Sequence, residues 1–169
     1  GFGNTGQAFA KILSGFDVSI LAYDKYKQGF SKANVQESSL PDILAKADII
    51  SLHVPLTSES KNMINPDFLN QFKKSIVLIN SARGEILSFE TMLYGLRKGI
   101  LSGLIADVLP NEKLNTWTEQ EFVLFEQIKA FPNTLFSPHV AGWTIESYQK
   151  ISEVLASKIS DFILNELSE

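Results

Sequence analysis

The sequence predicts an α/β fold built on a doubly wound parallel sheet, and three observations carry that prediction. Short β-branched runs alternate with amphipathic stretches, as strands and helices do when they are layered. Most of the runs are continuously apolar, as strands covered on both faces should be. A G-x-G-x-x-G sequence, Gly1-Phe2-Gly3-Asn4-Thr5-Gly6, opens the chain and leads directly into a helical pattern.

Five strands are expected, near Val18–Ala22, Ile49–Val54, Ile76–Asn80, Leu104–Val108 and Thr134–Phe136. The first helix is expected from about Thr5 to Ser14, with Ala8, Phe9, Ile12 and Leu13 as its apolar face and Gly15 as its stop. Ser39 and Asp42 open a short helix carrying Ile43 and Leu44. Asn65 and Pro66 supply a cap and a first-turn proline ahead of Phe68, Leu69 and Phe72. Ser88 caps a helix whose face is Phe89, Met92, Leu93 and Leu96 and whose end is Gly99. Thr118 and Glu121 form a capping box before Phe122, Phe125 and Ile128. A last helix begins near Thr144 and carries Tyr148, Ile151, Leu155, Ile159 and Phe162 on one stripe. A glycine-rich loop of this kind should follow a buried strand, yet Gly1 has no residue before it, so the first strand is expected to be missing.

With 169 residues, 44% of them apolar, the chain fits one domain with an ordinary core. The net charge of −4 and scattered lysines argue against a nucleic-acid partner. Without cysteine there is neither a disulfide framework nor a thiolate metal site. No apolar run approaches the roughly 18 residues of a membrane span, so no membrane association and a cytoplasmic location are expected.

In the opening loop, Gly1 makes a tight turn, Gly3 admits a pyrophosphate close to the backbone, and Gly6 allows the helix to pack on the sheet. Backbone N–H groups near Thr5 and Gly6, at the helix N-terminus, suit a diphosphate anion. Asp24 follows the next strand, 18 residues after Gly6. Its carboxylate can accept both ribose hydroxyls and would repel a 2′-phosphate, favouring NAD over NADP. The alternatives are that Asp24 only starts a turn, or that Lys25 and Lys27 hold the phosphate of NADP.

There are two histidines. His53, at the end of an apolar strand, reads as a partly buried, hydrogen-bonded residue. His139, in Ser137-Pro138-His139, follows a strand at the carboxyl edge, where open sheets bind ligands, and is the candidate proton donor. Two other loops leave the same kind of edge. Asn80-Ser81-Ala82-Arg83-Gly84 presents a guanidinium fork suited to a carboxylate and its adjacent carbonyl. Asp107-Val108-Leu109-Pro110-Asn111-Glu112 presents two acids, and one carboxylate beside a histidine would keep its imidazolium charged near neutral pH. Singly, Arg83 or Glu112 reads as a solvated loop charge. Together with His139 they form a coherent set for reducing a 2-keto acid.

These motifs in this order, with His53-Val54-Pro55-Leu56-Thr57 and Gly142, resemble the cofactor domain of the D-isomer-specific 2-hydroxyacid dehydrogenase family, which includes phosphoglycerate dehydrogenases. The resemblance covers nearly the whole chain. It implies a Rossmann-type NAD-binding domain spanning residues 1–169, without the family's N-terminal substrate domain, and a homodimer. It implies that Arg83 binds the substrate carboxylate, that Glu112 pairs with His139 and that His139 exchanges the proton. Gly1, Gly3, Asn4, Thr5, Gly6, Tyr23 and Asp24 would hold the adenosine diphosphate half of NAD. Val54, Pro55, Ser81, Ala82, Arg83, Asp107, His139 and Gly142 would line the nicotinamide half, with Asp107 on the carboxamide. The substrate would be a D-2-hydroxy or 2-keto acid, 3-phosphoglycerate among the candidates. A non-catalytic NAD(H)-sensing module or an inactive fragment of the same family is the alternative. Two departures stand out: Lys113 replaces the proline that usually follows the glutamate, and residues 115–130 carry a helix-like run with Trp117, Phe122 and Phe125. That run reads either as a subunit contact or as a satellite core.

Overall fold

In the computed structural model, which describes residues 1–32 and 34–166, the side-chain caps expected from the sequence start the helices. Ser39 Oγ accepts the Asp42 N–H at the head of α2 (Leu40–Lys46), and Asn65 Oδ1 accepts the Phe68 N–H at the head of α3 (Pro66–Leu69). Ser88 caps α4 (Phe89–Arg97), and Thr118 and Glu121 form both halves of a capping box on α5 (Glu119–Lys129). Each such cap satisfies an N–H that the helix itself leaves unpaired. Gly99 ends α4 in the left-handed region, at φ 68°. Gly15 has no such role: α1 (Asn4–Leu13) is closed by Ser14 in right-handed geometry.

The chain divides into two units, Gly1–Pro138 and His139–Glu169. In the first, β1 (Ile20–Ala22) pairs in parallel with β2 (Val35–Glu37), and β3 (Ile49–Leu52), β4 (Ile76–Asn80), β5 (Leu101–Ala106) and β6 (Thr134–Phe136) form a parallel sheet in that order. Helices connect the strands of the larger sheet, the α/β arrangement that the sequence predicts, while β1 and β2 are joined without one.

Several expectations are corrected. β2 is a sixth strand, hidden in the sequence because Val35 is its one apolar residue. It forms by pairing Val35 with Ile20 and burying Val35 with Phe2, Ala10 and Ala22. β5 begins three residues and ends two residues earlier than expected. Only the central strands are well covered. Ile49 of β3 and Leu135 of β6 are 61% and 62% exposed, because both lie at the margins of their sheet. On α1 the buried residues are Gly6 and Ala10, while Ala8 and Ile12 face solvent. The helix therefore approaches the sheet on its smallest side chains.

The main core lies around β4 and β5, where Leu78, Leu104, Ile76, Leu101 and Met92 are almost wholly buried. Residues 115–130 join that core. Trp117 meets Phe89 and Phe125 edge-on at 5.4 and 5.1 Å, and Phe125 meets Phe136 at 5.1 Å. Trp117, Phe125 and Ile128 thus belong to the main core itself and form no separate satellite cluster. Phe122 points away and is 56% exposed.

The second unit consists of a short turn and α6 (Ile145–Glu166). Thr144 caps the helix by accepting the Ser147 N–H at 3.0 Å, and Ser147 Oγ donates to the Gly142 carbonyl at 2.7 Å. Tyr148, Ile151, Leu155, Ile159 and Phe162 lie on this helix and are exposed. No helix among the described residues is long and apolar enough to cross a membrane.

Candidate cofactor and active site

All strands of the larger sheet are parallel, so the loops after β3, β4, β5 and β6 leave from one edge. The opening loop is wedged beside that edge. The Gly1 nitrogen donates to the Tyr23 carbonyl at 2.9 Å, just beyond β1, and a Cβ on Gly1 would strike the His53 carbonyl beyond β3. A Cβ on Gly6 would come within 2.5 Å of the Gly1 carbonyl. Gly3 is different: a Cβ there would meet nothing within 4 Å. The space over Gly3, at a helix start with no side-chain cap and no acidic residue in its first turn, fits a diphosphate drawn to free N–H groups.

Asp24 is tied into this loop. One carboxylate oxygen accepts the Phe2 N–H at 2.7 Å, and the other accepts the N–H groups of Tyr26 at 2.9 Å and Lys27 at 3.2 Å. Burial works to raise its pKa. The backbone donors outweigh burial and hold the carboxyl below the usual carboxylate range. Asp24 is therefore both the turn-former and the charge beside the loop. Lys25 is engaged elsewhere: its Nζ lies 2.6 Å from Glu59 Oε2, which also accepts the Tyr26 hydroxyl at 2.6 Å.

His53 is half-buried, with Nε2 3.0 Å from Ser51 Oγ and its ring 5.4 Å from that of Phe9. Burial lowers its pKa. After it, Val54 is half-buried and Pro55 exposed. The Pro55 loop is pinned by the buried Ser60, whose Oγ donates to the Pro55 carbonyl at 2.6 Å and accepts the Thr57 N–H at 2.8 Å.

At the end of β4, the fully buried Asn80 builds the arginine loop. Its Nδ2 donates to the Arg83 carbonyl at 2.9 Å and its Oδ1 accepts the Ala82 N–H at 3.1 Å, which leaves Ser81 half-buried and Arg83 at the surface. The Asn80 carbonyl in turn accepts the Asp107 N–H at 2.9 Å. Gly84 joins the two loops more closely still, because a Cβ there would run into the Leu109 carbonyl and lie 2.8 Å from Pro110 N. The loops carrying Arg83 and Glu112 are thus packed backbone to backbone. Asp107 is buried and accepts the Ser137 hydroxyl at 2.6 Å, while Glu112 is exposed.

His139 opens the second unit in a left-handed conformation, at φ 54°. Such a backbone is uncommon for a side chain with a Cβ and collects at functional positions. Three residues on, Gly142 has open space around its Cα.

Sequence reasoning had no roles for Asn80, Gly84, Ser60 or Ser137. A polar residue ending an apolar strand, and a serine directly before Pro-His, were the signals for Asn80 and Ser137. Gly84 had none, since Leu109 and Pro110 are distant in sequence, whereas Ser60 binds Pro55 and Thr57 only five and three residues away.

Residues 1–141 match the profile of the D-isomer specific 2-hydroxyacid dehydrogenase NAD-binding domain. A glyoxylate reductase of Thermofilum pendens is 35% identical over 170 residues, 99% of this chain and 48% of that protein. A D-lactate dehydrogenase of Streptococcus pyogenes is 33% identical, over 90% of this chain and 48% of its own length. Among solved structures, the D-lactate dehydrogenase of Aquifex aeolicus, complexed with NAD and lactic acid, superposes with a TM-score of 0.82. That match has 28% identity and covers 99% of this chain and 53% of the other. The chain spans about half the length of the relatives it matches.

Proposed function

Since the chain belongs to the D-isomer specific 2-hydroxyacid dehydrogenases, as an NAD-binding domain of that family, we propose that it is the cofactor half of an enzyme interconverting D-2-hydroxy acids and 2-keto acids. The observation that carries this reading is the packing of Gly84 on Leu109 and Pro110, which sets the Arg83 and Glu112 loops side by side at the sheet edge.

Arg83 binds the substrate carboxylate and orients the adjacent carbonyl with its planar fork. His139 gives a proton to the keto oxygen in reduction and takes it back in oxidation. Glu112 pairs with His139 and favours its charged form. The nicotinamide, when bound, supplies or accepts the hydride at the substrate C2. Gly3, Asn4, Thr5 and Gly6 receive the diphosphate, and Tyr23 and Asp24 the adenosine ribose. Val54, Pro55, Ser81, Ala82, Asp107 and Gly142 line the nicotinamide side. NAD is preferred over NADP because Asp24 is an anion at the ribose position and Lys25 is already paired with Glu59.

The relatives' names point to small 2-keto acids such as glyoxylate and pyruvate. Their greater length supports a substrate-binding half facing this domain in the whole enzyme. A homodimer in the cytoplasm completes the proposal, and sedimentation of the intact protein checks the dimer. The activity is tested by following NADH absorbance in the intact protein with glyoxylate, pyruvate and 3-phosphohydroxypyruvate. His139→Ala is expected to lower kcat by about 100-fold or more. Unchanged turnover in that variant would remove the acid/base assignment. NADH-dependent binding of another protein without turnover of any acid would instead favour a sensor.

A further inference from the structure

Glu112 stands on an exposed loop, and three peptide groups around it are tied down. Trp117 Nε1 donates to the Asn111 carbonyl at 2.8 Å on the N-terminal side. On the other side, Lys113 N donates to Asn111 Oδ1 at 3.1 Å, and the Lys113 carbonyl accepts the Thr116 hydroxyl and N–H, both at 2.8 Å. The Asn111 side chain reaches further, its Nδ2 donating to Glu121 Oε1 of α5 at 3.3 Å. The indole is itself fixed, edge-on to Phe89 at 5.4 Å and to Phe125 at 5.1 Å, on the rim of the core. Glu112 is exposed, and where its carboxylate can reach depends on how the backbone of its loop is set. Here the peptide before it is anchored through Trp117 to α4 and α5, and the peptide after it through the Asn111 side chain to α5. Lys113, standing where the family pattern has proline, contributes an N–H that this network uses.

We propose that Trp117 and Asn111 are positioning residues for Glu112: the indole N–H and the Asn111 amide hold the loop so that the Glu112 carboxylate stays aligned for its partner. This rests on the reading that Glu112 pairs with His139. A side chain needs to be held within about 0.5 Å of its productive place for full effect, and hydrogen bonds to the flanking peptides are a direct means of doing so.

The test is a double-mutant cycle in the intact protein, with kcat, KM for the keto acid, NADH Kd and Tm measured for each variant. Trp117→Phe keeps a ring against Phe89 and Phe125 and removes only the N–H donor and the second ring. It is expected to lower kcat about fivefold with NADH Kd within about twofold. In a Glu112→Gln background the same substitution should have no further effect, because residues acting as a unit are not additive. Asn111→Ala, at a half-buried surface position, should repeat the pattern if Trp117→Phe folds poorly. Equal losses of kcat in both backgrounds, or a wild-type kcat in both single variants while Glu112→Gln is impaired, would overturn the proposal. A wild-type kcat in Glu112→Gln would instead overturn the reading beneath it.

Discussion

Asn80→Ala should loosen the arginine loop without touching the guanidinium. The substitution removes two hydrogen bonds, of 2.9 and 3.1 Å, from a side chain with no exposed surface. At about 1 kcal/mol per bond, with roughly 1 kcal/mol more for the space the amide vacates, the expected loss is about 3 kcal/mol. Urea unfolding followed by tryptophan fluorescence should show the midpoint falling by about 1.5 M at an unchanged slope near 2 kcal/mol/M. If Arg83 holds the carboxylate as proposed, KM for the keto acid should also rise about tenfold, equivalent to about 1.4 kcal/mol. NADH affinity should change less. Asn80→Asp is the informative companion. It keeps the acceptor for the Ala82 N–H but sets a carboxylate oxygen against the Arg83 carbonyl in a buried site, which raises its pKa. Its penalty is therefore full well above that raised pKa and shrinks as pH falls through it, when the protonated carboxyl can donate again. Midpoint shifts below about 0.3 M for both variants would refute the reasoning that this side chain builds the loop.

Gly84→Ala should cost at least about 2 kcal/mol and lower kcat/KM for the keto acid more than tenfold, because the Leu109 backbone cannot give way without parting the Arg83 and Glu112 loops; thermal unfolding and steady-state kinetics check both. Asp24 has a folded-state pKa below its unfolded value, so its contribution is fully present above the ordinary carboxylate pKa of about 4 and is lost as pH falls toward the folded value. The stability gap between the protein and Asp24→Asn, from urea midpoints between about pH 6 and pH 3, should accordingly narrow toward acid. NADH Kd in that variant should rise about tenfold.

Much of the fold was legible in the sequence because its signals are local. A serine, threonine or asparagine cap acts within three residues, and a buried parallel strand such as Ile76–Asn80 is apolar up to its last residue. The family resemblance rests on the same kind of signal, short motifs at strand ends in a fixed order. Val35–Glu37 escaped for the opposite reason. With one apolar residue it has no pattern, and it is a strand only because β1 offers it a ladder and the Phe2 cluster offers Val35 a place to be buried.

What the sequence determined by itself is the set of chemical groups and the edge they occupy. Arg83, Asp107 and Glu112 follow strands, and parallel connections put strand ends on one side. Only the tertiary structure decided how those groups are held. Asn80 turns inward to its own loop, Gly84 lets a neighbouring backbone approach, Ser137 meets Asp107 across 30 residues, and Trp117 reaches back to the peptide before Glu112. The Gly84 and Ser137 contacts join segments that converge only when the sheet is assembled, so no spacing in the chain could announce them, and the indole of Trp117, though only six residues from Asn111, is aimed by its packing on Phe89 and Phe125.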